Sequence, residues 1–151
     1  RVYQRAVLMR KVMVHQTQSQ TTALLLVVNK TAVLKSRLIK QNYVTKDYIQ
    51  EMKELVEKFG SYIVVADGIA IPHGSIGKNV IKDGAALLVL KEAVKFDDGE
   101  MVNIFIPFAT RGKKFHSKLL NEIFDIIKRK NLKDKILSLK TKQEIIKYLN
   151  R

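Results

Sequence analysis

The stretch Gly-Ile-Ala-Ile-Pro-His-Gly-Ser, residues 68–75, ends an apolar, strand-like run with a titratable ring. Pro72 fixes its own φ and restricts the residue before it, and Gly74 removes bulk beside the ring and permits unusual dihedral angles. A loop of this kind at a strand end can leave one imidazole nitrogen accessible above a buried sheet. We therefore take His73 as the first candidate for a chemically active residue.

A second histidine, His116, lies in the first turn of a predicted helix, on the same face as Leu119, Leu120 and Ile123. Free backbone N–H groups at a helix start attract anions, and their partial positive charge favours a neutral imidazole. If the rings of His73 and His116 meet, the pair suits phosphoryl chemistry. One neutral ring nitrogen would attack phosphorus, while the second histidine and the helix start would stabilise the transferred oxygens.

Both histidines also have a purely structural interpretation, and the sequence leaves it open. A histidine at a strand end is often a hydrogen-bonded core residue, and one at a helix start is often a cap. We assign no role to the third histidine, His15. His73 and His116 lack a third ligand at metal-binding spacing, and the chain has no glycine-rich nucleotide-binding motif. We therefore expect neither a metal nor a cofactor.

The predicted elements that position the histidines begin with helices. Helical spacing of apolar residues predicts helices over about 29–41, 45–59, 114–130, 132–139 and 141–149. Asn29 and Thr45 are expected to cap the first two, and Gly60 to end the second. Tyr48 falls on the apolar face of the second helix. Thr141 and Glu144 have the spacing of a capping box.

Short apolar runs predict strands over residues 24–28, 62–65, 69–72, 85–90 and 101–109. The pairs Asp67-Gly68 and Asp98-Gly99 are turn signals between them. We expect a single α/β domain over residues 29–151, with a mixed central β-sheet flanked by helices on both sides. Residues 1–28 are expected to be an atypical N-terminal segment: an arm, a tail or a foreign remnant, with one short strand.

The composition is that of a globular domain, with 151 residues, 46% of them hydrophobic and 28% charged. The absence of cysteine excludes a disulfide scaffold, thiolate zinc sites and cysteine nucleophiles. No apolar run is longer than Ala23 to Val28, which is far shorter than a membrane span, and no small-residue cleavage site follows it. We expect a cytoplasmic protein.

The net charge of +14 invites a nucleic-acid interpretation, but its distribution weakens it. Residues 1–46 carry nine basic residues and no acidic ones, and most of the other basic residues are lysines scattered on predicted helices. Arginines interleaved with aromatics, which are typical of nucleic-acid binding, are missing. We favour solvated helix faces and keep a basic nucleic-acid-binding domain as the less favoured alternative.

Three segments resemble a known family. Asn42 to Gly74, "NYVTKDYIQEMKELVEKFGSYIVVADGIAIPHG", is similar to the enzyme IIA component of the phosphoenolpyruvate-dependent sugar phosphotransferase system. Within the mannitol/fructose-type superfamily, the ascorbate-type branch is nearest. The resemblance continues through "DGAALLVLKEAVKFDDGEMVNIFIPFA" and "HSKLLNEI" and spans about residues 30–149.

The resemblance implies a phosphotransferase that accepts phosphate on His73 from the histidine-bearing phosphocarrier protein. It would pass the phosphate to a cysteine of a IIB component, which would phosphorylate a sugar of the ascorbate-like type as it enters through the membrane IIC component. His116 matches the family's second histidine. A regulatory protein of the same fold, which signals by its phosphorylation state, is the alternative, and a homo-oligomer is a possible state.

The sequence departs from the family at several positions. Asp67, Gly74-Ser75 and Ser117 stand where the ascorbate-type branch usually has proline, alanine-arginine and leucine. The mannitol-type branch has an arginine at the position of Leu55, so its phosphate-stabilising role is not carried over. These departures bear on the identity of the sugar and not on the acceptor histidine.

Overall fold

The computed structural model describes residues 42–96 and 98–149. The predicted strand over 24–28, the helix over 29–41 with its cap Asn29, the N-terminal segment 1–28 and His15 lie outside the described residues. The division of the chain after residue 28 therefore stays a prediction.

The described chain contains four helices and six strands in the order helix, strands, helices. These are α1 (Lys46–Phe59), a 3-10 turn (Gly60–Ile63), β1 (Val64–Ala66), β2 (Gly68–Ala70), β3 (Gly84–Ala85), β4 (Leu88–Lys95), β5 (Met101–Phe105), β6 (Phe108–Ala109), α2 (Lys113–Ile127), α3 (Leu132–Ser138) and α4 (Lys142–Leu149). None of these helices is long and apolar enough to cross a membrane.

The structure confirms two of the predicted helix-end signals and contradicts a third. Gly60 ends α1 with a positive φ of 60°, which glycine adopts without strain. The predicted capping box at α4 forms, because the Glu144 amide donates to Thr141 Oγ1 at 3.1 Å and the Thr141 amide donates to a Glu144 carboxylate oxygen at 3.0 Å. Thr45 precedes α1, but the prediction that its side chain caps the helix is wrong. Its backbone amide instead donates to the Asn79 carbonyl oxygen at 3.0 Å.

The four-stranded sheet is mixed, as predicted. Its strand order is β1-β2-β5-β4, in which β2 and β5 run parallel and the other two pairs are antiparallel. The turn at Asp67-Gly68 joins β1 to β2, and Gly68 has a φ of +74° there. A second sheet of two strands joins β3 to β6.

Two long apolar runs, each predicted as one strand, are divided between these two sheets. Residues 85–90 contribute to β3 and β4, and residues 101–109 contribute to β5 and β6. The break falls at Pro107, which has no N–H to continue the ladder, while its carbonyl oxygen accepts from the Ala86 amide at 2.9 Å. The strand predicted over 62–65 also begins later, at Val64, because a 3-10 turn occupies residues 60–63.

Helices cover both faces of the mixed sheet, as predicted. Ile104 of β5 belongs to the core cluster that contains buried residues of α2, α3 and α4, such as Ile123. The next residue, Phe105, packs on the opposite face with Val56 of α1. This alternation follows from the two-residue period of a strand and fixes the position of α2 relative to the sheet.

Candidate active site at the paired histidines

The two predicted site residues meet at the end of the sheet where β2 stops. The ring centroids of His73 and His116 lie 6.3 Å apart, with an interplanar angle of 59°. The ring of Phe108 contacts both histidines. Its centroid lies 4.7 Å from that of His73, with an interplanar angle of 21°, and 5.4 Å from that of His116. The geometry therefore brings together the two histidines that the sequence singled out.

A continuation of the β2–β5 pairing places His73 against Phe108. Beyond the last residues of these strands, the Ile106 amide donates to the Ala70 carbonyl at 2.8 Å and the Phe108 amide donates to the Pro72 carbonyl at 3.2 Å. His73 and Phe108 then form an isolated parallel bridge. The backbone position of His73 is thus set by the same ladder that builds the central sheet.

The Tyr48 hydroxyl is inserted into this ladder. A regular parallel ladder would join the amide of Gly74 directly to the carbonyl of Phe108. Instead, the Gly74 amide donates to the Tyr48 hydroxyl at 2.8 Å, and that hydroxyl donates to the Phe108 carbonyl at 2.7 Å. Burial raises the pKa of Tyr48 to about 12, so the hydroxyl stays protonated and able to donate.

The hydrogen bond of His73 defines which ring nitrogen is reactive. Its Nδ1 lies 2.8 Å from the Ile71 carbonyl oxygen, and the ring is partly buried. A carbonyl oxygen only accepts, so Nδ1 carries the proton and the neutral ring keeps its free lone pair on Nε2. This fixed tautomer gives the site a nucleophilic nitrogen.

His116 is held at the start of α2, as predicted. Its backbone amide donates to the Gly112 carbonyl at 3.0 Å, and its Nδ1 lies 3.0 Å from the hydroxyl oxygen of Thr110. Burial, and secondarily the neighbouring His73, lower the pKa of His116 below 6.5. The ring is therefore mainly neutral at pH 7, which is the state expected from its place at a helix start.

The loop after His73 is anchored by Glu51 of α1. One Glu51 carboxylate oxygen accepts from the Ser75 amide at 2.8 Å and also from the Ser75 hydroxyl. The loop passes so close to α1 that a Cβ at Gly74 would lie 2.9 Å from a Tyr48 ring carbon. The absence of a side chain at position 74 therefore allows this approach.

Sequence reasoning did not identify Tyr48, Phe108, Thr110 or Glu51 as site residues. Tyr48 was assigned to the apolar face of α1, which is correct for its ring, since it is 1% exposed. The available signal was the hydroxyl, because a buried tyrosine normally requires a hydrogen-bond partner. Thr110 and Phe108 lie at the end of a predicted strand, where nothing in the local sequence marks them.

Two basic residues that lie near the histidines in sequence, Lys78 and Arg111, are both exposed. The Arg111 guanidinium lies 3.4 Å from Asp83, whose other carboxylate oxygen accepts from the Arg111 amide at 2.7 Å. A surface cavity of about 390 Å³ beside the start of α2 is lined by Asp83, Arg111, Gly112, Lys114, Phe115 and Lys118. The lining of this cavity therefore carries three basic side chains and one acidic one.

Comparison with known proteins shows the family to which the chain belongs. The family model "Phosphoenolpyruvate-dependent sugar phosphotransferase system, EIIA 2" matches residues 17–151. The "Ascorbate-specific PTS system EIIA component" of Escherichia coli (strain K12) is 31% identical over 117 residues, which cover 76% of each chain. The chain therefore belongs to the EIIA 2 family. It is a phosphoryl-transfer component of a sugar phosphotransferase system.

Two solved structures share the fold. The mannitol-specific cryptic phosphotransferase enzyme IIA of Escherichia coli has a TM-score of 0.78 and 18% identity, covering 98% of both chains. Enzyme IIAMTL of Escherichia coli, solved in complex with phosphorylated enzyme IIBMTL, has a TM-score of 0.70 and 19% identity, covering 92% of this chain and 93% of that one.

The Tyr48→Phe variant tests the inserted hydroxyl. We expect the free energy of unfolding to fall by about 1–3 kcal/mol, because the Gly74 amide and the Phe108 carbonyl each lose a partner. Urea denaturation measures the change, and Tyr62→Phe, at a tyrosine that is 44% exposed, is the control. Equal stabilities for the two variants would show that the hydroxyl does not hold the ladder.

The pKa of His116 can be measured by NMR titration. We expect it below 6.5 in the wild type, and higher but still lowered in His73→Ala, because burial is the larger cause and remains. Between the folded pKa and the unfolded value, the unfolded chain binds more protons. His116 therefore makes stability fall as the pH falls through that window. An unchanged pKa in His73→Ala would contradict the coupling of the two rings.

Proposed function

We propose that His73 is the phosphoryl acceptor and that its Nε2 is the attacking atom. The observation that carries this proposal is the hydrogen bond between His73 Nδ1 and the Ile71 carbonyl, which leaves the lone pair on Nε2. The ring is partly buried and stacked on Phe108, so its orientation is restricted before a phosphoryl donor binds. Phosphorylation at Nδ1 would require breaking the bond to Ile71.

The reaction exchanges one P–N bond for another. The Nε2 lone pair of His73 attacks the phosphorus of a phosphohistidine on the carrier protein, and the electron pair of the breaking bond returns to the carrier's ring. The bond types are the same on both sides, so the transfer is readily reversible. In the second half-reaction, a cysteine thiolate of a IIB component attacks the same phosphorus and His73 Nε2 is the leaving group. Catalysis then depends on alignment and charge stabilisation.

His116 supplies the charge stabilisation in this proposal. A neutral ring with its proton on Nε2 donates a hydrogen bond to a phosphoryl oxygen on His73. The 6.3 Å separation of the ring centroids leaves space for a group between the two rings. The cavity beside the start of α2, whose lining includes Arg111, Lys114 and Lys118 as well as Asp83, contributes a net positive potential that favours an anionic group.

Two partner proteins dock in turn on the surface around His73: the phosphocarrier protein and a IIB component. The relative solved with phosphorylated enzyme IIBMTL supports the second partner. Because each partner must leave after transfer, we expect small and transient interfaces. The relative named as ascorbate-specific supports an ascorbate-type sugar, which reaches the phosphate only through the IIB component and a membrane IIC component.

Intact mass after incubation with phosphoenolpyruvate, enzyme I and the phosphocarrier protein tests the acceptor. We expect one acid-labile phosphate on the wild type and none on His73→Ala. The matched control is His15→Ala, which changes the histidine outside the described residues and should accept phosphate as the wild type does. A fully phosphorylated His73→Ala would overturn the assignment. Onward transfer to a IIB cysteine separates a transport component from a purely regulatory one.

The His116→Ala variant tests the second histidine. We expect transfer to slow by about 100-fold, the usual cost of removing one donor to a developing oxyanion, while the fold is kept. Stopped-flow or quench measurements of the transfer rate, with circular dichroism as the fold control, measure the effect. A wild-type rate would reduce His116 to a structural cap of α2.

A further inference from the structure

We propose that Thr110 is a positioning residue whose hydroxyl donates a hydrogen bond to His116 Nδ1 and so keeps the His116 proton on Nε2. Thr110 follows β6 and touches neither phosphorus nor a partner in this proposal. It acts through His116, so the inference rests on the function proposed above for that ring. The juxtaposition that carries it is the 3.0 Å distance between Thr110 Oγ1 and His116 Nδ1.

The backbone around Thr110 is fixed on both sides. Its carbonyl oxygen accepts from the Gly77 amide at 2.7 Å, and the next amide, that of Arg111, donates to Asp83 at 2.7 Å. Before it, Ala109 pairs with Gly84 in the two-stranded sheet. The Thr110 side chain is 2% exposed, so its hydroxyl faces His116 from a rigid and almost water-free position.

The direction of this hydrogen bond decides what His116 offers to a phosphoryl group. A hydroxyl can donate or accept, and a neutral imidazole has one N–H. If Thr110 accepts, His116 carries its proton on Nδ1 and presents a lone pair on Nε2, which repels a phosphoryl oxygen. If Thr110 donates, His116 carries its proton on Nε2 and presents a donor. The second arrangement is the one that stabilises a bound phosphoryl group.

The two histidines therefore need opposite tautomers, and their partners differ accordingly. His73 is paired with a carbonyl, which only accepts and so places its proton on Nδ1. His116 is paired with a hydroxyl, which is able to donate and so leave Nδ1 unprotonated. One ring is then a nucleophile through Nε2, and the other is a hydrogen-bond donor through Nε2. The different partner chemistry at two otherwise similar rings gives Thr110 a function beyond packing.

Long-range ¹H–¹⁵N NMR of histidine-labelled wild-type protein at about pH 8 measures the tautomer directly. We expect the His116 Nδ1 signal to be that of an unprotonated nitrogen and the Nε2 signal that of an N–H. The His73→Ala variant helps to assign the signals. A protonated His116 Nδ1 would overturn the proposal, whatever the result of any phosphorylation assay.

Two substitutions at Thr110 then connect the tautomer to the rate. Thr110→Val keeps the shape and removes the hydroxyl, and we expect transfer to slow about tenfold, the loss of roughly one hydrogen bond in the transition state. Thr110→Ser keeps a hydroxyl and should restore both the rate and the His116 Nδ1 chemical shift. Ser117→Ala removes an exposed hydroxyl beside His116 and is the matched control.

The possible outcomes distinguish a failure of this inference from a failure of the proposed function. If Thr110→Val transfers phosphate at the wild-type rate while His73 still becomes phosphorylated, Thr110 is structural and the acceptor assignment stands. If no protein in the series accepts phosphate, the proposed function fails, and the NMR tautomer still decides the role of Thr110. If Thr110→Val does not fold, the wild-type tautomer and the rate of Thr110→Ser decide the question.

Discussion

The geometry of the site depends on two hydrogen bonds made by the hydroxyl of Tyr48. It joins the Gly74 amide to the Phe108 carbonyl, two backbone groups that a regular parallel ladder would pair directly. The inserted oxygen links α1 to both segments that frame His73. Because the same hydroxyl accepts from one segment and donates to the other, loosening α1 would disturb the loop after His73 and the Phe108 backbone together.

The large sequence separation of the residues that Tyr48 joins explains which part of the site could be predicted. His73 and His116 are marked locally, by Pro-His-Gly after an apolar run and by a place in the first turn of a helix. The periodicity of α1 correctly placed Tyr48 on the buried face. Its hydrogen bond to Phe108 spans 60 residues of sequence, and nothing in either local pattern specifies such a pairing. The partner of a buried hydroxyl is decided by tertiary packing, which a single sequence does not display.

The same holds for the fold: its local features could be predicted, but the assignment of strands to sheets could not. Helix boundaries followed from apolar spacing and from glycine or capping residues, which act locally. The division of residues 85–90 and 101–109 between two sheets was missed because a continuous apolar run is compatible with burial in either sheet. Pro107 is the available signal, because it lacks the N–H that would continue the ladder and it lies between β5 and β6.

The proposed transfer requires an acceptor ring that is held rigidly but can still be reached by a partner, and the contacts of His73 meet the first requirement. The hydrogen bond from the Phe108 amide to the Pro72 carbonyl fixes the backbone directly before His73, and the Ile71 carbonyl and the Phe108 ring hold its imidazole, so little conformational entropy is left to lose on reaction. The nitrogen opposite the Ile71 bond keeps its lone pair. Because the bond to Ile71 uses Nδ1 and the Phe108 ring covers one ring face, the proposed transfer to and from Nε2 requires neither contact to break.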